Sequence, residues 1–584
     1  MDRTRRLIEL GHFPTQLPPG FHTSDFSQNY GDFLTGWSAL KDPSIQGKQP
    51  IQNPKKAPTS KVETFSVARA GHRRRVTGIT NPVAQLYLSE YISQHWGSLL
   101  KHYRKSKLSA SRPRMKHSSL RGATIPSMRL HSETLLHRSA GYKYVLRTDI
   151  SRFFPTIYTH SIPWALHSKS VSKADRSRAR LYGNLLDETC RQLQDGQTIG
   201  LPIGPDTSHI IAEAIASAVD VQLCGQIDGL SGFRFVDDYY LFFHSRQAAE
   251  SCLASLAQLL SQYELQINFE KTRICETVEL SDDLWSHQLR AFSISNRGKA
   301  QARDLHHLFE LAKLLARENT DESVMLYAIK RACSIVVRPE NWEAFVAHLC
   351  HVAIAYPNTL QQIENIISTY TAIGYPIKKA PLERLVNSII KEHAPLNHHS
   401  EVAWCLWISK KNQLMISQEN VAPVTMMRSS VCSLILLDME ASGLLPCRID
   451  YAVWDSLRDR LSLWGEQWLL CYEAGVRGWG GFAPDTVKAD QHFKLLAEAT
   501  VRFYDASASG TPMFTFNLEA VLHAKGEIPD NLLQLLEGDD AEDYVTFEQD
   551  QGGYHSTAFL DFAGLLEALT DESRSHENAD EDED

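Results

Sequence analysis

Between Tyr142 and Ile274 the apolar positions switch repeatedly between two spacings. YKYVLRTDI, GFRFVD and YYLFFH are short and rich in aromatic and β-branched residues, and predict strands. The stretch Arg176–Leu193, IIAEAIASAVDVQL and AAESCLASLAQLLSQY repeat their apolar residues every three to four positions and predict helices, while LQINF predicts a last short strand. The resulting β-α-β-β-α-β order is of the ferredoxin-like kind. Upstream, VTGITNP predicts a short extended piece and a turn at Asn81-Pro82, followed by an amphipathic helix through VAQLYLSEYISQHWGSLL. Beyond about residue 295 the spacing becomes helical throughout, as in LHHLFELAKLLA, where Leu305, Leu308, Phe309, Ala312 and Leu315 share a face. Similar runs recur near 323–335, 340–355, 359–373, 381–392 and 428–440. The fold class is therefore α+β, with a large α-helical C-terminal domain for which a HEAT-like stack of helix pairs is the finer expectation.

Residues 1–60, rich in Gly, Pro, Ser, Gln and Asn with scattered aromatics, predict an irregular N-terminal arm. The expected units are thus 1–60, 61–141, 142–295, the helical domain 296–570, and an acidic tail 571–584. At 584 residues several cores are expected. No apolar run approaches the length of a membrane span, and MDRTRRLIELGHF lacks the apolar core of a secretory signal, so a cytoplasmic protein with no membrane partner is expected. The ten cysteines form no CxxC pair, which argues against zinc knuckles and thioredoxin chemistry and for buried reduced thiols.

Charge changes the picture locally. From Lys48 to Arg152 there are 21 Lys+Arg against 4 Asp+Glu, a balance of +17, within a chain of net charge −9. The tail 571–584 carries 8 acids and one Arg and is expected to be disordered. A basic stretch of this kind is a candidate phosphate-binding surface, or a solvated positive face.

Asp149 ends the strand YKYVLRTDI, and Asp237-Asp238 fill the turn of the hairpin FRFVDDYYLFF. An ordinary hairpin turn would account for the Asp pair alone. Adjacent strands would nevertheless bring all three carboxylates to one sheet edge, where oxygen ligands suit Mg²⁺. Two such ions about 4 Å apart are what phosphoryl transfer to a 3′-hydroxyl requires.

TDISRFF, GLPIGPDTS, FVDDYYLF and LQINFEKT occur in the order of the A, B, C and D motifs of reverse transcriptases, and the chain resembles that family. The resemblance makes 61–141 the fingers and 142–295 the palm. It implies that Asp149 and Asp237, with the Ile150 carbonyl, ligate two Mg²⁺ ions, that Asp238 lies near the primer end, and that Lys271 protonates the leaving pyrophosphate. Phe154 matches the steric gate that prefers dNTPs, with a core Phe as the bland alternative. Gly204 and Pro205 belong to the loop against the nascent base pair, where Ile203 replaces the family's usual Gln. Arg75, then Arg74 and Arg121, are the candidates for touching the incoming triphosphate.

FFPTIYTHSIPWALHSK, GQTIGLPIGPDTS and HHSEVAWCLW, with the helical C-terminal half, resemble bacterial defence-associated, abortive-infection reverse transcriptases. That resemblance implies DNA synthesis in antiphage defence. Expected partners are dNTPs, an RNA template such as a non-coding RNA, and a DNA product; homo-oligomerisation stays open. The alternatives are template-independent or protein-primed synthesis, with Tyr30 in SQNYGDF as candidate primer, and a catalytically idle nucleic-acid-binding scaffold.

Overall fold

The computed structural model describes residues 2–40 and 59–508, except 72, 117–118, 120, 127, 281–283, 296, 321, 334–335 and 373, together with 545–549 and 556–560. The acidic tail lies outside the described residues.

The main sheet is built from β3 (Tyr144–Asp149), β4 (Ser231–Phe235), β5 (Asp238–Phe243) and β6 (Arg273–Glu276), preceded by the hairpin β1 (Glu63–Ala68) and β2 (Arg74–Ile79). The sheet order is β4-β5-β3-β6 with every neighbour antiparallel. This is the ferredoxin-like order, with the two strands that carry the acids side by side in its centre. Alternation sorts the side chains by face. Leu146, Tyr239, Leu241 and Phe243 pack on the helices Asp206–Gln226 and Arg246–Gln262, while Val145, Phe233, Tyr240 and Phe242 form a smaller core on the other side. LQINF is not the fourth strand. Leu265 and Ile267 are buried, but only Ile267 pairs, in a single bridge to Ile150, and the ladder resumes at Arg273.

Of the N-terminal segment 1–60, residues 41–58 lie outside the described residues, and residues 2–40 hold three short helices, Arg3–Glu9, Ser24–Gln28 and Tyr30–Ser38, the first capped by the Asp2 carboxylate, which accepts from the Arg5 N–H. Phe26, Phe33 and Trp37 explain why: they stack in succession with ring centroids 5.6 Å apart at both steps, and Phe26 meets Phe503 at 5.6 Å. The Trp37 indole N–H donates to the His492 carbonyl at 3.3 Å. The segment thus closes the first residues onto the last helices.

Asn81 caps the helix Pro82–Gln94, whose apolar and polar residues are buried on most faces, so it is less amphipathic than the sequence predicts. A second helix, Trp96–Tyr103, continues the run. In the C-terminal region, Gly298–Glu318, Val324–Cys333, Trp342–Ala355, Leu360–Ala372, Lys379–His393 and His399–Asn412 each pack on the next helix but one as the chain advances, giving two layers. His399–Asn412 is buried over nearly its whole length and packs on β1. Within the stretch expected to be helical, Val545–Gln549 and Ser556–Leu560 are instead strands, paired antiparallel. No helix among the described residues is long and apolar enough to cross a membrane.

Two expectations test this architecture. Gly232, in β4, has φ 154°, and a Cβ there would lie 2.5 Å from the Tyr240 carbonyl oxygen and 2.7 Å from Leu241 Cδ2. Gly232→Ala should therefore lower stability by roughly 1–3 kcal/mol in thermal denaturation, and an unchanged melting temperature would contradict the sheet register. Glu63, which opens β1, accepts from the Ser430 N–H at 2.6 Å and is fully enclosed, and burial raises its pKa to about 8. The folded state therefore holds this proton more tightly than the unfolded state. Its contribution is fully present at acid pH and is lost as pH rises from about 4.5 towards 8. Glu63→Gln should flatten the fall in melting temperature across that window, measured as a pH series for both proteins.

Candidate active site

Asp149 is the last residue of β3 and stands directly opposite Asp238, the first of β5. Phe235 pairs with Asp238, so Val236-Asp237 is a two-residue hairpin link, and the Ile150 N–H donates to the Asp237 carbonyl at 3.2 Å. The pairing brings Asp149, Asp237 and Asp238 to one sheet edge. Burial, then the charge of Asp238, raises the Asp237 pKa to about 7; burial likewise raises Asp238.

Lys271 is the counter-charge, its ammonium donating to Asp149 Oδ2 at 2.7 Å. Burial pulls the Lys271 pKa down, but the bond to Asp149 and the surrounding acids lift it overall. The other oxygen, Asp149 Oδ1, is buried and has no hydrogen-bond partner among the described residues. An orphaned carboxylate oxygen beside two further buried carboxyl groups is a donor set that fits a hard divalent cation.

The Val236-Asp237 turn is strained. Val236 has φ 57°, a left-handed conformation that a β-branched residue adopts only when its surroundings enforce it. The enforcement is visible: the Val236 N–H donates to Ser111 Oγ at 2.7 Å, and the Val236 carbonyl accepts from Arg234 Nη1 at 2.7 Å. Arg234 is fully buried. It also bonds Glu213 through Nη1 at 3.0 Å and Nη2 at 2.9 Å, and Asp220 through Nε at 3.0 Å and Nη2 at 2.8 Å. Seven residues apart on the helix Asp206–Gln226, both acids face the sheet. Ser109 and Ser217 donate to Glu213, and Ser106 and Tyr239 to Asp220, so the carboxylates are well satisfied. Burial would raise Glu213 and lower Arg234, yet their mutual attraction wins, lowering Glu213 and raising Arg234. The sequence reading missed all three residues. Their signal was present: an acid pair at a seven-residue interval inside an apolar helix, and an Arg between two Phe in a core strand.

Phe154 sits partly buried in the short helix Phe153–Thr156, five residues after Asp149, with its ring 5.5 Å from that of Phe153. Its carbonyl accepts from the Leu201 N–H at 2.9 Å, which joins the gate position to the Gly/Pro loop. That loop is braced from three sides. The Gly78 N–H of β2 donates to the Ile203 carbonyl at 2.7 Å, the Asp206 N–H donates to the Gly11 carbonyl at 2.8 Å, and Gly204 (φ 127°) is so close to Pro14 that a Cβ would lie 2.8 Å from Pro14 Cγ. Pro205 caps the following helix.

Two of the predicted triphosphate cations face elsewhere. Arg121 is ion-paired with Asp206 and donates to the carbonyls of Gly204 at 3.2 Å and Phe13 at 3.3 Å, so it braces the loop. Arg74 forms a bidentate pair with Glu401, Nη1 to Oε1 at 2.6 Å and Nη2 to Oε2 at 2.8 Å, tying β2 to the helical region. Arg75, opposite Val67 in the hairpin, is half-buried. Tyr30 does not lie in a flexible arm: it begins a helix, and its hydroxyl donates to Asp2 Oδ2 at 2.9 Å. Burial and that carboxylate push its pKa up to about 12.

Arg234→Met tests the network. It leaves Glu213 and Asp220 buried without their cation, so stability should fall by about 3–5 kcal/mol in denaturant titration. The triple variant Arg234→Met, Glu213→Leu, Asp220→Leu should recover much of that loss, because apolar replacement of a whole buried ion cluster is often near neutral. A single variant as stable as wild type would refute the network's role.

The family model described as Reverse transcriptase (RNA-dependent DNA polymerase) matches residues 98–296. No curated protein matches the chain. Among solved structures the chain is similar to apo telomerase from Candida tropicalis, at 10% identity over 70% of this chain and 73% of that one, with a TM-score of 0.28, too low to carry an argument. The segment that brings Asp149, Asp237, Asp238 and Lys271 together is thus a reverse transcriptase domain, and the protein is an enzyme of the nucleotidyltransferase class.

Proposed function

We propose that the protein synthesises DNA from dNTPs on an RNA template by two-metal phosphoryl transfer and serves antiphage defence. The observation that carries the chemistry is the convergence of Asp149, Asp237 and Asp238 at one sheet edge, with Asp149 Oδ1 left unpartnered. Divalent cations, Mg²⁺ by the nature of the donors, would activate the 3′-hydroxyl and offset the triphosphate charge when bound there. Asp149, Asp237 and Asp238 would hold them. The Lys271 ammonium, which donates to Asp149 Oδ2, would be the group to give a proton to the departing pyrophosphate.

Phe154 supports sugar selection, its backbone carbonyl being bonded to the loop that would face the new base pair. Lys101, Arg104, Lys105, Lys107, Arg114 and Lys116 are exposed along one run next to β4, which supports a phosphate-binding surface. The defence role and the HEAT-like nature of the helical region rest on the resemblance of the motifs and of HHSEVAWCLW. Ile203 in the template loop favours the second reading, synthesis without a conventional template.

Purified full-length protein with Mg²⁺ and each labelled dNTP or NTP should incorporate dNTPs, and Asp237→Ala with Asp238→Ala should abolish it. Phe154→Ala should raise NTP use relative to dNTP use by roughly 10-fold or more. Product made with no added or copurifying RNA would favour the second reading. Incorporation surviving in the double variant would refute the site. Cells carrying wild type should resist phage that plate freely on cells carrying the double variant; equal plating would refute the defence role.

A further inference from the structure

The loop joining the helices Lys379–His393 and His399–Asn412 gathers three side chains that the polymerase chemistry does not use. His393 ends the first helix, Asn397 turns the chain with φ 52°, and His398 then precedes the second helix, whose first turn carries Glu401. His393 Nδ1, His398 Nδ1 and Glu401 Oε1 all lie within 4.8 Å of one another. The two nitrogens are 2.8 Å apart, and they stand 3.7 Å and 3.6 Å from the carboxylate oxygen.

The nitrogen pair can form a hydrogen bond only if one ring carries its proton on Nδ1. The carboxylate faces both rings beyond hydrogen-bond range. The three donor atoms therefore converge on one point, the two nitrogens within hydrogen-bond distance of each other and the carboxylate oxygen outside it from both. Edges of this size subtend roughly 84–124° at an ion with ligand bonds of about 2.1 Å. Glu401 Oε1 also accepts from Arg74, but an oxygen with two lone pairs can serve both, and the bidentate guanidinium together with the Ser400 hydroxyl, which donates to Oε2 at 2.7 Å, holds the carboxylate in place.

We propose that His393, His398 and Glu401 form a Zn²⁺-binding site with a fourth position open to water. Two imidazoles and one carboxylate select a borderline transition metal over Mg²⁺. The site stands apart from the polymerase reading and has a structural consequence. The same short segment receives the edge of the β1–β2 hairpin, the Ser66 N–H donating to His399 Nδ1 at 3.3 Å and the Ala68 N–H to Ser400 Oγ at 3.0 Å, while Arg74 of β2 grips Glu401. Bound metal would fix the platform on which the hairpin rests.

The test uses the full-length chain carrying Asp237→Asn and Asp238→Asn, which removes metal binding at the palm, after treatment with a chelator. Titration with Zn²⁺ in excess Mg²⁺ should load about one equivalent, raise the melting temperature, and fail in His393→Ala and His398→Ala. Co²⁺ in place of Zn²⁺ should give the intense visible bands of a four-coordinate ion in the chain with both histidines intact, a readout independent of whether the Ala variants fold. Zn²⁺ retained equally by the His variants, no loading of the chain with both histidines intact, or a weak six-coordinate Co²⁺ spectrum would each overturn the proposal.

Discussion

A buried guanidinium governs the geometry of this enzyme's centre. Arg234 lies in the core strand next to the acid turn and meets two carboxylates from the long helix behind the sheet. One cation against two anions leaves a net negative charge away from water, a costly arrangement unless each lone pair is satisfied. Four hydroxyls and the Val236 carbonyl supply that satisfaction. The cluster is therefore better read as a device for specificity than for net stability. It makes the register of β4, the rotation of the helix Asp206–Gln226 and the strained Val236 mutually dependent, so the position of Asp237 is set from beneath.

The same logic joins the palm to the rest of the chain. Polar ties of long sequence separation meet at the Gly/Pro loop: Gly11 and Phe13 from the first residues, Gly78 from the hairpin, and Arg121 through Asp206. Arg74 carries the hairpin onward to Glu401, and Phe26 and Trp37 carry the N-terminal helices to Phe503 and His492. The helical region is thus packed around the β1–β2 hairpin and the N-terminal helices. A displacement of either would be felt at the loop beside Phe154.

Legibility in the sequence followed the range of the determining interaction. Asp149 and Asp237-Asp238 were readable because the strand pattern around each is local and the pairing of two such strands is the simplest solution. The fourth strand was misplaced because Leu265 and Ile267 are apolar for a different reason, burial in the core beneath the sheet, and a period-two pattern does not distinguish burial from pairing. Arg74 and Arg121 looked like phosphate ligands because their carboxylate partners, Glu401 and Asp206, lie 327 and 85 residues away. The N-terminal helices were hidden by Gly and Pro content, although Phe26, Phe33 and Trp37 already had helical spacing.

The centre that remains is one the protein alone leaves unbalanced. Three carboxyls are drawn to one edge, where burial and mutual repulsion hold two of them above the ordinary carboxylate range. One ammonium, from the half-exposed Lys271, answers them at a single oxygen. A fold selected for stability alone would have placed another cation there, as it did for Glu213 and Asp220 one layer deeper. The contrast between the two acid clusters is one of closure: the deeper is neutralised from within by Arg234, and the one at the sheet edge is left open at Asp149 Oδ1.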